Sequence, residues 1–222
     1  MSDLVSPQLQ LLARQRLVAI IRLDDLGSAQ QLSQALFDGG IAIQEFTLTN
    51  PAALDAISRV RQSIAEFDNG QGLVGVGSVR NLDQAKAAIA AGAQFVVLPI
   101  VNVAVIEYCV QHDTPVMPGA MTPTEILTAW EAGATAVKVF PARSLGSQYI
   151  RDVLAPLPEL RLMPTGGIDQ NNMRDYFQAG AFAVGVGGNL LNQEAIGTQD
   201  WQRVTSIANS YTHAVRCAIE PI

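Results

Sequence analysis

Short runs of β-branched and other apolar residues recur eight times along this chain, and segments with helical spacing separate them. The runs lie at residues 17–22, 42–48, 73–76, 95–98, 115–117, 136–140, 161–163 and 182–186. Between them, Ala, Leu, Gln and Glu recur at helical spacing, for example at residues 26–38, 52–65, 82–91 and 171–179. Such alternation is typical of βα units around a parallel sheet. We therefore predict an α/β fold.

The number and length of the units favour one architecture within that class. Eight βα units of roughly 25 residues each match a (β/α)8 TIM barrel. An extra N-terminal helix at 8–16 and a C-terminal helix at 201–219 would flank it. No linker or low-complexity stretch divides the chain, so residues 1–222 are predicted to form a single domain. An open, doubly wound sheet is the alternative, because periodicity alone does not say whether the first and eighth strands pair.

Composition excludes several classes of protein. Charged residues make up only 15% of the chain and the net charge is −6, so no positive field attracts nucleic acid. No 18 apolar residues run without interruption, and no basic segment precedes an apolar run at the N-terminus. This pattern disfavours a membrane span and a secretory signal. We expect a cytoplasmic protein with neither nucleic-acid nor membrane partners.

The chain is also poor in metal ligands. Cys109 and Cys217 stand far apart in helix-like segments, which fits reduced thiols better than a disulfide. Only His112 and His213 accompany them, and neither H-x-x-x-H nor C-x-x-C spacing occurs. The Gly-Val-Gly segments lack the third glycine of the dinucleotide fingerprint, and no glycine-rich loop ends in lysine. We expect no metal and no cofactor.

Lys138 lies in the middle of the apolar run 136–140, and the chain has one other lysine, Lys86. Strand alternation puts Lys138 on the face of Ala136 and Phe140, opposite a valine face suited to packing against helices. We predict that Lys138 points into the barrel. An amine withdrawn from water there is more readily neutral and able to form a Schiff base with a ketone. A structural cation or an outward-facing side chain is the alternative.

Glu45 is a carboxylate inside the run 42–48, on the same face as Ile43 and Thr47. Schiff-base chemistry requires proton transfers, and a half-buried glutamate is suited to general acid–base catalysis. We therefore predict that Glu45 lies close to the amine of Lys138. A structural partner for an arginine is the alternative.

Two strand runs end in glycine-rich segments. They are Pro164-Thr165-Gly166-Gly167-Ile168 after the seventh run and Gly185-Val186-Gly187-Gly188-Asn189 after the eighth. Loops after strands 7 and 8 are common phosphate sites in such barrels, because backbone N–H groups point at the ligand there. A phosphorylated substrate is the functional interpretation, and tight turns that require glycine are the structural alternative.

Five segments in order resemble the bacterial 2-keto-3-deoxy-6-phosphogluconate (KDPG) / 4-hydroxy-2-oxoglutarate (KHG) aldolases. They are Glu45-Phe46-Thr47-Leu48, Gly75-Val76-Gly77-Ser78-Val79, Pro118-Gly119-Ala120-Met121-Thr122-Pro123-Thr124-Glu125, Lys138-Val139-Phe140-Pro141-Ala142 and Pro164-Thr165-Gly166-Gly167-Ile168. The resemblance implies a homotrimeric (β/α)8 barrel that acts as a class I aldolase without metal. Such an enzyme cleaves KDPG to pyruvate and glyceraldehyde 3-phosphate.

The resemblance also implies roles for individual residues. Lys138 matches the Schiff-base lysine and Glu45 the general acid/base. The residues expected to bind substrate are Arg22, Thr47, Ser78, Pro99 and Thr165, and those expected to bind phosphate are Gly166, Gly167, Gly187, Gly188 and Asn189.

The chain departs from the family at several positions of the pocket. Many members bind the pyruvate carboxylate with an arginine where this chain has Asn50, and we expect Arg22 to supply that charge from the neighbouring strand. Ser78 replaces a usual threonine, Asn189 replaces a frequent serine, and Leu98-Pro99-Ile100 stands where a Ser-Pro-Gly-like turn is common. These changes leave other substrates open: 2-keto-3-deoxy-6-phosphogalactonate, or unphosphorylated 4-hydroxy-2-oxoglutarate. A non-catalytic barrel that binds a phosphate ligand is the alternative outside catalysis.

Overall fold

The computed structural model describes residues 6–219, and its strands and helices alternate along the chain. The strands are β1 (Leu17–Ile21), β2 (Ile43–Thr47), β3 (Leu73–Gly77), β4 (Val96–Val97), β5 (Val116–Met117), β6 (Gly119–Ala120), β7 (Val137–Val139), β8 (Leu162–Pro164) and β9 (Val184–Val186). The helices are α1 (Pro7–Gln15), α2 (Ala29–Asp38), α3 (Ala53–Ser63), α4 (Ala65–Asp68), α5 (Leu82–Ala90), α6 (Val103–Gln111), α7 (Pro123–Glu131), α8 (Gly146–Leu154), α9 (Met173–Gln178), α10 (Gln193–Gly197) and α11 (Trp201–Ile219). A 3₁₀ turn at Ala142–Ser144 follows β7.

Each of the eight predicted runs overlaps a strand, although β3 and β8 end one residue beyond their runs. The fifth run differs most from its prediction. That run continues beyond residue 117 and is interrupted at Pro118, so that β5 and β6 are separated by this one residue. Proline has no N–H to donate to a sheet, but its carbonyl still accepts a bond. The Pro118 carbonyl accepts from the Lys138 N–H at 2.9 Å, which carries the pairing over to β7.

All strand pairs in the described residues are parallel, as the βα alternation predicts. The larger sheet has the order β5-β4-β3-β2-β1-β9 and forms a six-stranded half-barrel, and a second sheet has the order β6-β7-β8. The α/β class is therefore confirmed. The described ladders comprise these two sheets instead of the one continuous eight-stranded sheet that we predicted.

The inner faces of both sheets meet in one apolar cluster. The inner cluster contains Leu11, Leu12, Val18, Ile43, Leu73, Phe95, Val97, Met117, Ala136, Met163 and Ala183. Val18, Ile43 and Leu73 of this cluster lie in the amino-terminal parts of their strands, and α1 covers that end with Leu11 and Leu12. The opposite strand faces pack against helices in a larger outer cluster that includes Val137, Val139 and Phe46.

Local sequence signals set the ends of several helices. Thr122 caps α7, and its side chain and that of Glu125 form a complete capping box. Gly92, Gly133 and Gly180 follow their helices with φ of +93°, +100° and +101°, a conformation that favours glycine.

The sequence also predicts reduced cysteines and no membrane span. Cys109 and Cys217 are both free. Among the helices of residues 6–219, none combines the length and the apolar character that a membrane span requires.

Candidate active site

Lys138 lies at the centre of β7 with only 6% of its surface exposed. Val137 and Val139 on either side of it belong to the outer cluster, and Ala136 belongs to the inner one. The side chain of Lys138 is therefore on the inner face, as alternation predicts. Its Nζ lies 5.2 Å from the centroid of the Phe140 ring, a residue of the same face. The face of an aromatic ring is a favourable neighbour for a cation at this position.

Glu45 lies on the inner face of β2 and is 1% exposed. Burial raises the pKa of its carboxyl, and the positive charges of Lys138 and Arg22 act in the opposite direction. Within residues 6–219 its Oε2 has no hydrogen-bond partner. A carboxyl with a raised pKa keeps its proton more readily than an exposed one and is a stronger base once ionised, which suits it to general acid–base catalysis.

The space for Glu45 depends on a glycine of the neighbouring strand. A Cβ atom at Gly77 would overlap the Glu45 Oε1 atom. Gly77 lies in the segment Gly75-Val76-Gly77-Ser78-Val79, and no role was predicted for it. A glycine at the end of an apolar strand run is the signal that would have found it, because strand glycines often mark a close approach.

A cleft of about 340 Å³ opens at the carboxyl ends of β1, β7, β8 and β9. Its wall brings together eight of the predicted site residues: Arg22, Lys138, Thr165, Gly166, Gly167, Gly187, Gly188 and Asn189. Ile20, Phe140, Pro141, Arg143 and Ile168 complete the lining. Parallel strands place their carboxyl ends at one edge, so residues distant in sequence meet here.

The two glycine-rich loops form one side of the cleft. Gly166 and Gly167 have φ of +94° and +84°, which only glycine adopts readily. The Asn189 side chain donates to the Ile168 carbonyl at 3.1 Å and so links the two loops. Backbone N–H groups of Gly166, Gly167, Gly188 and Asn189 find no acceptor among residues 6–219. Such free amides can receive an anion.

Metal ligands are not gathered at the cleft. Within residues 6–219, no three residues of the His, Cys, Asp and Glu types lie together in a way that could hold a metal ion.

The sequence matches the family model for KDPG and KHG aldolase over residues 9–207. The chain belongs to this aldolase family. The resemblance found in its motifs is therefore confirmed. This chain is 36% identical to the 2-dehydro-3-deoxy-phosphogluconate aldolase of Treponema pallidum (strain Nichols). The alignment of 198 residues covers 89% of this chain and 92% of that protein.

Two further relatives extend the comparison within the aldolase family. The 2-dehydro-3-deoxy-6-phosphogalactonate aldolase of Escherichia coli (strain K12) is 30% identical over 201 residues, 90% of this chain and 96% of that protein. The crystal structure of KDPG aldolase from Legionella pneumophila, with pyruvate captured as a covalent carbinolamine intermediate, superposes with a TM-score of 0.82. It is 27% identical and covers 93% of this chain and 98% of that chain.

Asn50 stands where many family members have an arginine, and its side chain makes hydrogen bonds to the backbone. Its Nδ2 donates to the carbonyls of Leu23 and Asp24 at 3.0 and 2.9 Å, and its Oδ1 accepts from the Ala52 N–H at 2.8 Å. Asn50 thus ties the loop after β2 to the segment that follows Arg22. The Arg22 side chain lines the cleft, and its charge acts on Glu45.

Three residues expected to bind substrate lie outside the lining of the cleft. The Thr47 Oγ1 pairs with the Thr49 Oγ1 at 2.8 Å. Ser78 follows β3 with a φ of +62°. The backbone of Pro99 packs closely against Gly119. A Cβ atom added at Gly119 would lie 2.5 Å from the Pro99 carbonyl carbon. Substrate binding by Thr47, Ser78 and Pro99 stays a prediction.

Arg143 is a cleft residue that the sequence analysis missed. It follows directly after the motif that ends at Ala142, in the 3₁₀ turn behind β7. Its position was a usable signal, because the residues just beyond a strand reach the carboxyl edge of a parallel sheet.

Proposed function

We propose that this aldolase cleaves KDPG to pyruvate and glyceraldehyde 3-phosphate through a Schiff base on Lys138. As a member of an aldolase family the chain is a carbon–carbon lyase. The observation that carries the proposal is that the buried Lys138 and the two glycine loops line one cleft. Glu45 does not line the cleft itself, but the charges of Lys138 and Arg22 act on its carboxyl. An amine, a proton carrier and an anion site are the parts that this reaction requires.

The first step joins enzyme and substrate. The neutral Nζ of Lys138 attacks the C2 carbonyl carbon, and the carbonyl oxygen takes up a proton to form a carbinolamine. Glu45 then donates a proton to that hydroxyl, which leaves as water, and a protonated imine remains. The covalent carbinolamine of pyruvate in the Legionella pneumophila relative supports this order of events.

The second step breaks the carbon–carbon bond. Glu45, now a carboxylate, accepts the proton of the C4 hydroxyl, and the C3–C4 bond breaks as the C4 carbonyl forms. The electron pair moves to the imine nitrogen and leaves an enamine of pyruvate. Glyceraldehyde 3-phosphate departs, C3 is protonated, and water releases pyruvate and the free amine. The raised pKa of Glu45 suits it to both directions of transfer.

The proposed binding mode distributes the two charged ends of the substrate. Arg22, whose charge acts on Glu45, would hold the carboxylate, and Thr165 would lie beside the pyruvate part. The free backbone amides of Gly166, Gly167, Gly188 and Asn189 would bind the phosphate. Thr47, Ser78 and Pro99 are assigned to the substrate by the family resemblance.

Borohydride reduction in the presence of pyruvate tests the mechanism. Peptide mass mapping should find the reduced adduct on Lys138 and not on Lys86, the second lysine of the sequence. Omission of pyruvate or of borohydride should abolish it. A folded protein without this adduct would exclude the Schiff-base mechanism and favour a non-catalytic barrel that binds a phosphate ligand.

The galactonate-series substrate is the second candidate, because a 2-dehydro-3-deoxy-6-phosphogalactonate aldolase is among the relatives. The two substrates differ in the configuration of one hydroxyl. A single hydrogen bond to that group, worth about 1–3 kcal/mol, decides the preference. Steady-state kcat/KM on both substrates and on 4-hydroxy-2-oxoglutarate would rank them.

We also propose that the two sheets close into a complete (β/α)8 barrel. The bridge between Thr165 and Gly185 and the bond from the Phe182 N–H to the Leu162 carbonyl at 2.9 Å support closure between β8 and β9. On the other side, Pro118 alone interrupts the strand shared by β5 and β6. A crystal structure in which these strands lie apart would contradict the proposal.

The proposed assembly is a homotrimer, as the family resemblance implies. Ile100, Val103 and Met121 are large apolar residues that stay exposed after β4 and β6, and a subunit contact would cover them. Mass in solution from light scattering tests the assembly, and a monomer would contradict it. The cytoplasmic location stays a prediction from the sequence.

A further inference from the structure

Arg143 is an exposed cation in the wall of the cleft. Its guanidinium makes no salt bridge and no hydrogen bond with any of the residues 6–219. Among the described residues of the cleft wall none is acidic, so no carboxylate competes for this charge. An unpaired arginine in a cleft that lacks acids is suited to an anionic ligand.

The backbone around Arg143 is held firmly against one glycine loop. The Arg143 N–H donates to the Gly166 carbonyl at 3.0 Å, and the Ala142 N–H donates to the Thr165 carbonyl at 2.8 Å. On the other side of the turn, the Tyr176 hydroxyl donates to the Ala142 carbonyl at 3.2 Å. The side chain therefore starts from a fixed point beside the free amides.

The side chain itself lies over the same loop. A Cβ atom at Gly167 would come within 2.7 Å of the Arg143 Cβ, so the glycine leaves room for the arginine stem. This is independent of the backbone bonds, and it places the arginine beside the N–H groups of Gly166 and Gly167.

The cations of the cleft divide into two groups. Lys138 and Arg22 both act electrostatically on Glu45, so they belong to the end of the cleft where carbon chemistry is proposed. Arg143 is not among the charges that shift the pKa of Glu45, and its contacts are with Gly166 and Gly167 of the first glycine loop. A substrate with a carboxylate at one end and a phosphate at the other fits this division.

We propose that Arg143 binds the phosphate of the substrate and sets the selectivity for phosphorylated over unphosphorylated keto acids. This inference rests on the proposed aldolase function. The planar guanidinium can donate two parallel hydrogen bonds to phosphate oxygens, and the loop amides supply the remaining donors. 4-Hydroxy-2-oxoglutarate ends in a carboxylate bonded to C4 instead of a phosphate on C6, so it reaches less far toward these donors and offers them fewer acceptor oxygens.

The test compares two substrates across three variants. Arg143→Gln removes the charge, Arg143→Lys keeps a charge without the planar fork, and Arg151→Gln removes an exposed arginine of α8 that does not line the cleft. For each protein, kcat/KM is measured on KDPG and on 4-hydroxy-2-oxoglutarate, and the ratio of the two values is the readout. Borohydride trapping with pyruvate accompanies each measurement.

The expected result is a fall of the KDPG to 4-hydroxy-2-oxoglutarate ratio by about 10- to 100-fold in Arg143→Gln, as for the loss of a charged hydrogen-bonding partner. Arg143→Lys should fall between Arg143→Gln and the wild type, and Arg151→Gln should keep the wild-type ratio. The pyruvate adduct on Lys138 should form in all of them.

Two results would overturn the inference, and they differ from each other. An unchanged ratio in Arg143→Gln, with KDPG still cleaved, would mean that the loop amides hold the phosphate without the arginine, and the proposed function would stand. A wild-type protein that cleaves neither substrate and forms no adduct would remove the proposed function itself and the inference with it.

Discussion

The two ends of the strands share one inner face but are built from opposite kinds of residue. At the amino ends, Leu73, Phe95 and Met117 pack with the leucines of α1, and the space left between them is about 10 Å³. At the carboxyl ends, Lys138 and Glu45 are buried beside a cleft of about 340 Å³. Burial of apolar side chains at the amino ends stabilises the folded state, whereas burial of charged groups at the carboxyl ends destabilises it.

The residues that stabilise the fold and the residues proposed for catalysis therefore lie at opposite ends of the strands. Burial of the Glu45 carboxyl raises its pKa and costs stability once the group ionises, so the polar end is tolerated because the apolar end compensates. Changes at the polar end should therefore damage activity more than stability, and changes at the apolar end should do the reverse. Four substitutions test that expectation.

The largest expected effect is that of Lys138→Met, which removes the amine and keeps most of the stem. We expect kcat to fall by roughly 10⁴-fold or more, because no second lysine lines the cleft among residues 6–219. Steady-state assays with KDPG measure the loss. Lys86→Met on α5, where the amine lies 5.7 Å from the Tyr108 ring, is the matched control and should stay active. Near-wild-type turnover in Lys138→Met would end the assignment.

Glu45→Gln should lower kcat by about 10²- to 10⁴-fold, the usual worth of a general acid–base group. It should also change how stability depends on pH. Because the folded-state pKa of Glu45 is raised, its contribution to stability is complete below the pKa of an unfolded carboxyl and is lost as pH rises through the folded-state value.

The neutral glutamine escapes that loss. The Tm of Glu45→Gln should exceed the wild-type Tm at pH 8, and the difference should shrink as pH falls toward 5. Calorimetry across this range measures it. A variant that is less stable than the wild type at pH 8 would contradict the raised pKa.

Phe95→Ala tests the apolar end. The ring is 1% exposed within the inner cluster, so its removal should cost about 3–5 kcal/mol of unfolding free energy. The kcat of the folded fraction at low temperature should stay close to that of the wild type. Denaturant unfolding measures the loss, and Val110→Ala, at an exposed residue of α6, should change it by less than about 0.5 kcal/mol. A loss of kcat as large as that in Glu45→Gln would show that the two ends are not separate.

The smallest effect is expected for Asn50→Ala. The variant loses the bonds to the carbonyls of Leu23 and Asp24, worth about 1–2 kcal/mol together. Because these bonds hold the segment that follows Arg22, KM should rise a few-fold while kcat changes little. Kinetics and thermal unfolding of the same preparation check both numbers. An unchanged KM would separate Asn50 from the placement of Arg22.

Alternation along a strand is a local property, and so the inner-face position of Lys138 and Glu45 could be predicted from their neighbours. Capping of α7 by Thr122 and Glu125 is equally local. The glycine loops were also predictable, since Gly166 and Gly167 have φ values that other residues adopt only with strain.

Other features could not be predicted, because they depend on which strands become neighbours. The division of the strands into two sheets follows from the pairing of β5 with β4 and of β6 with β7. The role of Asn50 follows from the approach of two loops far apart in sequence, and the same holds for the cleft position of Arg143 beside Gly167.

The order of strands and helices, the residues that face inward and the family of the chain can all be predicted from sequence. These features depend on short segments, because backbone conformation and the alternation of side chains along a strand are local properties. Two features depend on tertiary structure. The charges of Lys138 and Arg22 act on the pKa of Glu45, and Arg143 lines the same cleft as the glycine loops. Such encounters depend on distances across the sheet, which are set by strand pairing and packing and not by any local stretch of chain.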